Sequence, residues 1–150
     1  SSDSKKKKEK LKCIPGFIFM CNQQSKLDCF QYRVFGLPLS KEKIVKEIKP
    51  GAKLFLYDFD VKLLYGVYQA TCVGRLNLEP DAFNGKYPAQ VKFSIFKECL
   101  PLQESSMRQL IKENYVGSKF NQELSLKHVR KLLTSFRPLT SLSSSLPSQD

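Results

Sequence analysis

Apolar positions gather in three dense blocks: Gly16–Cys21 (GFIFMC), Gly51–Asp60 (GAKLFLYDFD) joined to Leu64–Cys72 (LYGVYQATC), and Tyr87–Phe93 (YPAQVKF). Each sets aromatic and β-branched side chains between turn formers, the composition of strands buried on one or both faces. They are expected to be neighbouring strands of one curved sheet or small barrel. Between the first two blocks, Asp28–Leu39 (DCFQYRVFGLPL) is rich in apolar and aromatic residues and stops at Gly36-Leu37-Pro38. Pro38 holds Leu37 extended and Gly36 is free to take a positive φ, so this corner should set Phe35 against the sheet and wall a pocket.

Ile14–Met20 reads as the first strand, Asn22–Lys26 as a polar loop and Leu27–Phe35 as a short helical or irregular stretch. Ser40 is a candidate N-cap for a helix over Lys41–Ile48. Pro50-Gly51 turns into a strand over Ala52–Phe59, and Asp58–Lys62 turns back into Leu63–Thr71, where Gly66 permits a bulge or a close approach. Asn77–Asn84 reads as loop or short helix, and Ala89–Phe96 as the last clear strand. Met107, Leu110, Ile111 and Tyr115 predict a helix opened by Ser105 or Ser106 and ended by Gly117. Leu126, Val129, Leu132, Leu133 and Phe136 predict another, opened by Ser125. The sum is an α+β domain: a mixed, curved sheet or small barrel of about five or six strands flanked by helices. Ile18, Phe19, Leu54, Leu56, Val67, Val91 and Phe93 should fill its core.

Charge sharpens this picture. The net charge is +11, and the segment 1–13 carries six lysines against Asp3 and Glu9. The segment 14–138 still holds 19 basic and 11 acidic residues. A basic globular surface favours polyanions. The five cysteines are odd in number and form no CxxC, which argues for reduced thiols in an intracellular protein rather than a disulfide scaffold or a zinc site. No apolar run reaches the ~18 residues of a membrane span, and no signal-peptide pattern opens the chain. The chain is therefore expected in the nucleus or cytoplasm, with 1–13 a disordered basic tail and 139–150 a Ser-rich linker.

Catalytic constellations are sparse. The one histidine, His128, lies among Lys127, Arg130 and Lys131 and reads as a surface residue. Asp58 and Asp60 point the same way at a strand end, but beside Lys62 they read as turn and salt-bridge chemistry rather than a metal site. Cys21 and Cys29 have no neighbouring histidine to act as base. Neither catalytic residues, a metal nor a cofactor is expected.

The blocks GFIFMCN (16–22), DCF…FGLP (28–38), KPGAKLFLYDF (49–59), LYGVYQA (64–70), NLEPDAF (77–83) and YPAQVKF (87–93) occur in this order. Together with KENYVGSKFNQELSLKHVRKLL (112–133), they make 14–138 resemble the plant development and cell death (DCD) domain. The resemblance implies a non-catalytic module of plant stress- and cell-death-associated proteins, usually one part of a longer chain. A more distant likeness is to the PUA-like group, including EVE and YTH domains, whose pocket beside the first strand grips a modified base with aromatic side chains. By position that implies Cys21 and Asn22 at the strand end, Tyr32 and Phe35 before the corner, and Tyr57 or Phe59 on the long strand; Arg33 is a further binding candidate, for its charge at the rim. The chain departs from the YTH pattern in having no tryptophan.

Two functions follow from these expectations. In the first, the corner and the first strand form a groove for a protein partner, a peptide or a second copy of the chain. In the second, the pocket reads RNA or a modified nucleotide, with Lys49, Lys53, Arg75 and Lys92 as a basic rim. The first fits the family's association with signalling.

Overall fold

The computed structural model describes residues 13–139. Strand β1 (Gly16–Cys21) leads through α1 (Gln23–Tyr32) to β2 (Val34–Leu37). A 3-10 turn at Leu39–Lys41 and α2 (Glu42–Lys46) return the chain to β3 (Lys53–Asp58), β4 (Leu63–Ala70) and the short β5 (Arg75–Leu76). A second 3-10 turn, Ala82–Gly85, precedes β6 (Ala89–Ile95). Then come β7 (Leu102–Gln103), α3 (Glu104–Leu110), a hairpin of β8 (Tyr115–Val116) and β9 (Lys119–Phe120), β10 (Glu123–Leu124) and α4 (Leu126–Ser135).

The main sheet runs β10-β1-β3-β4-β6-β2, with β5 beside β6 and β7 beside β4. Only β1 and β3 are parallel, joined by the crossover through α1, β2 and α2, so the sheet is mixed and the fold is α+β. Three strands separate β1 from β2 along this path, yet Phe19 and Phe35 stack at 5.1 Å between ring centroids. The sheet is curled into a half-barrel, and those rings meet inside it.

Both faces are covered. Along β3, Leu54 and Leu56 point into the inner core with Phe19, Phe35, Val91 and Phe93. Phe55 and Tyr57 point outward into a second core with Ile18, Val67, Met107, Ile111, Val129 and Leu132, under α3 and α4. This two-sided burial is why the strand reads as a continuous apolar run rather than an alternation. Opposite Phe55 the β3–β4 register shifts, and a methyl group on Gly66 would come within 2.9 Å of the Phe55 ring. All seven residues expected in the core are buried.

Several local expectations are corrected. Asn22–Lys26 is not a loop, because Asn22 caps α1. Its Oδ1 accepts from the Ser25 N–H at 2.8 Å and Ser25 Oγ accepts from the Asn22 N–H at 3.0 Å, a reciprocal capping box. The helix ends where Arg33 turns left-handed (φ 58°), and residues Val34–Leu37 then pair with β6 as an edge strand instead of forming a loop corner. Gly36 does not take a positive φ. It is glycine for space: a methyl group there would lie 2.7 Å from the Phe83 ring and 2.9 Å from the Tyr87 carbonyl oxygen. Ser40 falls within the 3-10 turn and caps nothing, and α2 is one short turn. The helix expected up to Tyr115 stops at Leu110, and Gly117 (φ 65°) turns the β8–β9 hairpin rather than closing a helix. Ser125 does cap α4, its Oγ accepting from the His128 N–H at 3.2 Å. The basic tail and Ser-rich linker lie, apart from Cys13 and Leu139, outside the described residues.

Candidate functional site

At the end of β1 a cleft of ≈ 310 Å³ opens between the first turns of α1 and the 3-10 turn at Ala82–Gly85. Its walls are Asn22, Gln24, Ser25 and Asp28 on one side and Phe83, Asn84, Lys86 and Tyr87 on the other. The two sides are tied by one long-range bond, in which Asp28 Oδ2 accepts from the Phe83 N–H at 2.6 Å. That bond holds an uncommon backbone. Phe83 (φ 59°) and Asn84 (φ 52°) are both left-handed and lead into Gly85 (φ 77°), a conformation that is costly for a bulky residue. Phe83 is nevertheless fixed there, its ring edge-on to Tyr87 at 5.4 Å and against Gly36. The wall is thus pre-formed, and it presents amide, hydroxyl and carboxylate groups beside one half-buried phenol ring.

The residues expected at the site are dispersed around this cleft. Asn22 lines it. Cys21, one residue back, is buried beneath it. Phe35 is fully buried, stacked on Phe93 at 4.0 Å and edge-on to Tyr68 at 5.4 Å. Tyr32 packs half-buried on the inner core. Arg33 lines a separate depression with Phe30, Tyr65 and Glu98. Tyr57 is buried on the outer face against Phe120, and Phe59, just beyond β3, is 47 % exposed near Met20 at the same strand ends. The expected basic rim does not surround the cleft either. Lys49 and Lys53 border a groove at the opposite end of β1, Lys49 and Arg75 share a third hollow, and Lys92 is ion-paired with Glu79. The cleft's own basic residue is Lys86.

Sequence reasoning missed Ser25, Asp28, Phe83 and Tyr87. Two signals were available: the Asn-x-x-Ser spacing of a capping box, and Asn84-Gly85 as a turn.

Behind the cleft lies a buried charge pair. Asp58 is fully buried, and its Oδ1 accepts from the Asp60 N–H at 2.9 Å. Its other oxygen has the Lys26 ammonium at 3.5 Å, at ion-pair rather than hydrogen-bond distance. Burial works against the Lys26 charge, but the Tyr65 hydroxyl, 3.2 Å away, and Asp58 outweigh it and leave its pKa raised. Asp60 Oδ2 in turn accepts from the Gln23 N–H at 3.2 Å. Both carboxylates thus serve to anchor α1 to β3. Burial, then the Asp58 charge, push the Cys21 thiol up to about 12, so it is a neutral thiol near pH 7. Among the described residues no cluster of histidine, cysteine and carboxylate is arranged to hold a metal, and no helix is long and apolar enough to cross a membrane.

The curled mixed sheet with helices packed on its outside is an α+β half-barrel fold similar to that of YTH domains. Solved structures with this fold include the YTH domain-containing protein mmi1 and RNA complex, with a TM-score of 0.61 at 11% identity over 83% of this chain and 81% of that one. The YTH domain of Zygosaccharomyces rouxii MRB1 in complex with N6-methyladenosine RNA gives 0.60 at 18% identity over 79% and 84%. In sequence, the development and cell death domain matches residues 15–136, and the chain belongs to that family. Its relatives are plant proteins. The DCD domain-containing protein NRP of Arabidopsis thaliana is 39% identical over 82% of this chain and 37% of its own length. The B2 protein of Daucus carota is 35% identical over 82% of this chain and 62% of its own. The chain thus spans under two thirds of either relative.

Proposed function

We propose that this domain is a non-catalytic, intracellular recognition module of a plant stress- or cell-death-signalling protein, and that the cleft at the end of β1 receives a protein partner. The observation that carries this reading is the cleft itself. It offers hydrogen-bonding groups from Asn22, Ser25 and Asp28 on a wall pinned by the Asp28–Phe83 bond, suited to the backbone and polar side chains of a peptide. A peptide can also lean on the apolar side chains of Met20, Phe59 and Val61, exposed at the neighbouring strand ends. Catalysis has no support here: the Cys21 thiol is held neutral and His128 is on α4, bonded to Ser125 and Glu113.

The second reading is recognition of RNA, supported by the fold shared with the two RNA-complexed YTH domains above and by the ring of Tyr87 in the cleft. Phe35 cannot serve as its stacking ring while buried under Phe19 and Phe93. Titration of the chain with single-stranded RNA at about 50 and 200 mM salt separates the two, because phosphate neutralisation gives a steep negative salt slope. Absence of RNA binding at low salt leaves the protein-partner reading. Tight RNA binding that Tyr87→Ala weakens overturns it.

A further inference from the structure

The opposite end of β1, roughly 20 Å from the cleft at about 3.3 Å per residue, carries a feature of different chemistry. A groove of ≈ 450 Å³ runs between Pro15, the Pro50-Gly51 turn and the first turns of α4. Its floor is aliphatic, formed by Ile14, Ala52, Val129 and Leu133, and Leu126 stands 52 % exposed at its lip. Lys49, Lys53 and Arg130 border it, and no Asp or Glu lines it.

These cations are not engaged in ion pairs among the described residues. Two of them are held in position by neutral groups. The Lys49 ammonium donates to the Lys46 carbonyl at 2.8 Å, and Lys53 donates to the Gly51 carbonyl at 3.0 Å and to Gln69 Oε1 at 3.1 Å. An ammonium has three donors, so Lys49 keeps capacity for an anion without reorganising, while Lys53, which also lies over the Phe96 ring at 4.4 Å, contributes its charge at the edge. Through Lys49 the groove shares an edge with the hollow of Lys46 and Arg75.

We infer that this groove is a second docking surface, and that its occupant is an acidic peptide segment of another protein carrying aliphatic or aromatic anchors. The anchors cover the apolar floor and the flanking carboxylates meet the positioned cations. The groove's own lining contains no aromatic ring, and the exposed Phe96 ring beside Lys53 carries that ammonium on its face, so a nucleic acid would leave the aliphatic floor unfilled. Neither the segment 1–13, which is strongly basic, nor the segment 139–150, with Asp150 as its one acidic residue, complements the groove in charge.

The test is selection of random short peptides displayed on phage against the 150-residue chain, followed by anisotropy titration of the enriched peptides and of an oligouridylate. Enriched sequences are expected to combine Asp or Glu with Leu, Ile or Phe. Arg130→Glu and Leu126→Asp should each weaken them at least about tenfold, while Tyr87→Ala, in the cleft, leaves them unchanged. Both substitutions are at exposed positions, and aspartate is favourable in the first turn of a helix. If either lowers the melting temperature, Lys49→Glu takes its place. Peptides that survive these substitutions, an absence of acidic residues among them, or no enrichment at all overturns the proposal. So does oligouridylate binding with a steep salt slope that Arg130→Glu abolishes, which assigns the groove to phosphate. Peptides lost on Tyr87→Ala alone belong to the cleft and speak to the protein-partner reading, not to this one.

Discussion

Phe35→Ala separates the two roles that the sequence leaves open for this ring, core and ligand stacking. Phe35 has no exposed surface, and three rings surround it: Phe93 at 4.0 Å, Phe19 at 5.1 Å and Tyr68 at 5.4 Å. Truncating such a ring forfeits its transfer free energy and leaves a cavity that stacked neighbours cannot easily close, about 3–5 kcal/mol in all. A domain of this size has about 5–15 kcal/mol of stability in total, so the variant should be marginal at 37 °C. With a shift of about 3–5 °C in melting temperature per kcal/mol, a drop of roughly 10–20 °C is expected. Phe35→Leu keeps most of the volume and should cost no more than about 1–2 kcal/mol. The assay is urea unfolding followed by far-UV circular dichroism, comparing midpoints at a common slope. A stacking residue would behave in the opposite way, with near-native stability and lost affinity. A cost for Phe35→Ala below about 1 kcal/mol with an unchanged slope would refute the core assignment and reopen the cage.

Four further outcomes are expected. Gly36→Val drives a side chain into Phe83 and Tyr87, which line the cleft; it should cost about 1–3 kcal/mol by overpacking and perturb the amide resonances of residues 83–87, and silent resonances there would exclude the contact. Asp28→Ala removes the acceptor of the Phe83 N–H; a loss of about 1–3 kcal/mol with faster hydrogen exchange at Phe83 is expected, and unchanged exchange would mean the turn holds itself. In the folded protein Cys13 is exposed and should react with a disulfide reagent at once, while Cys21 and Cys29 are buried with raised thiol pKa values and should react only on unfolding. Because the folded Cys21 value stands above the ordinary 9.0, its contribution to stability is intact below pH 9.0 and is lost as pH rises toward about 12. A Cys21→Ala variant that loses as much stability as wild type over that range would contradict this assignment.

The strands were legible because two-sided burial writes itself into composition. Leu54–Tyr57 (LFLY) has no charged position to alternate, and the parallel β1–β3 pair at the centre of the sheet explains why. The shape of the cleft was much less legible. Asn22 and Ser25 look like loop residues until they are recognised as a reciprocal cap, and a polar first turn then becomes one wall. The other wall depends on Asp28 meeting Phe83, 55 positions away, and no local pattern reports such a bond. Gly36 was read correctly as a special position but for the wrong reason: the demand is on space beside Phe83 and Tyr87, not on φ. The basic surplus was plain, yet its placement was not: the fold brings Lys49 and Lys53 to one groove, sets Arg75 in the hollow beside it and pairs Lys92 with Glu79.

That placement has a physical consequence for function. The inner face of the sheet is filled by aromatic rings and the outer face by α3 and α4, so the sheet itself is open to a partner at its strand ends and the grooves beside them. The two ends of β1 differ in charge. Asp28, Asp58 and Asp60 gather where β1 and β3 finish, and Lys26 and Lys86 accompany them. Where these strands begin, Lys49, Lys53 and Arg130 stand without carboxylates among the groove's lining. A domain polarised in this way orients an approaching partner before contact, and exposed charges lose that influence beyond the Debye length of about 8–10 Å. The two ends should therefore respond differently to salt. Association at the groove should slow steeply as ionic strength rises, whereas binding at the cleft, where carboxylates and ammonium groups are mixed, should be nearly indifferent to it.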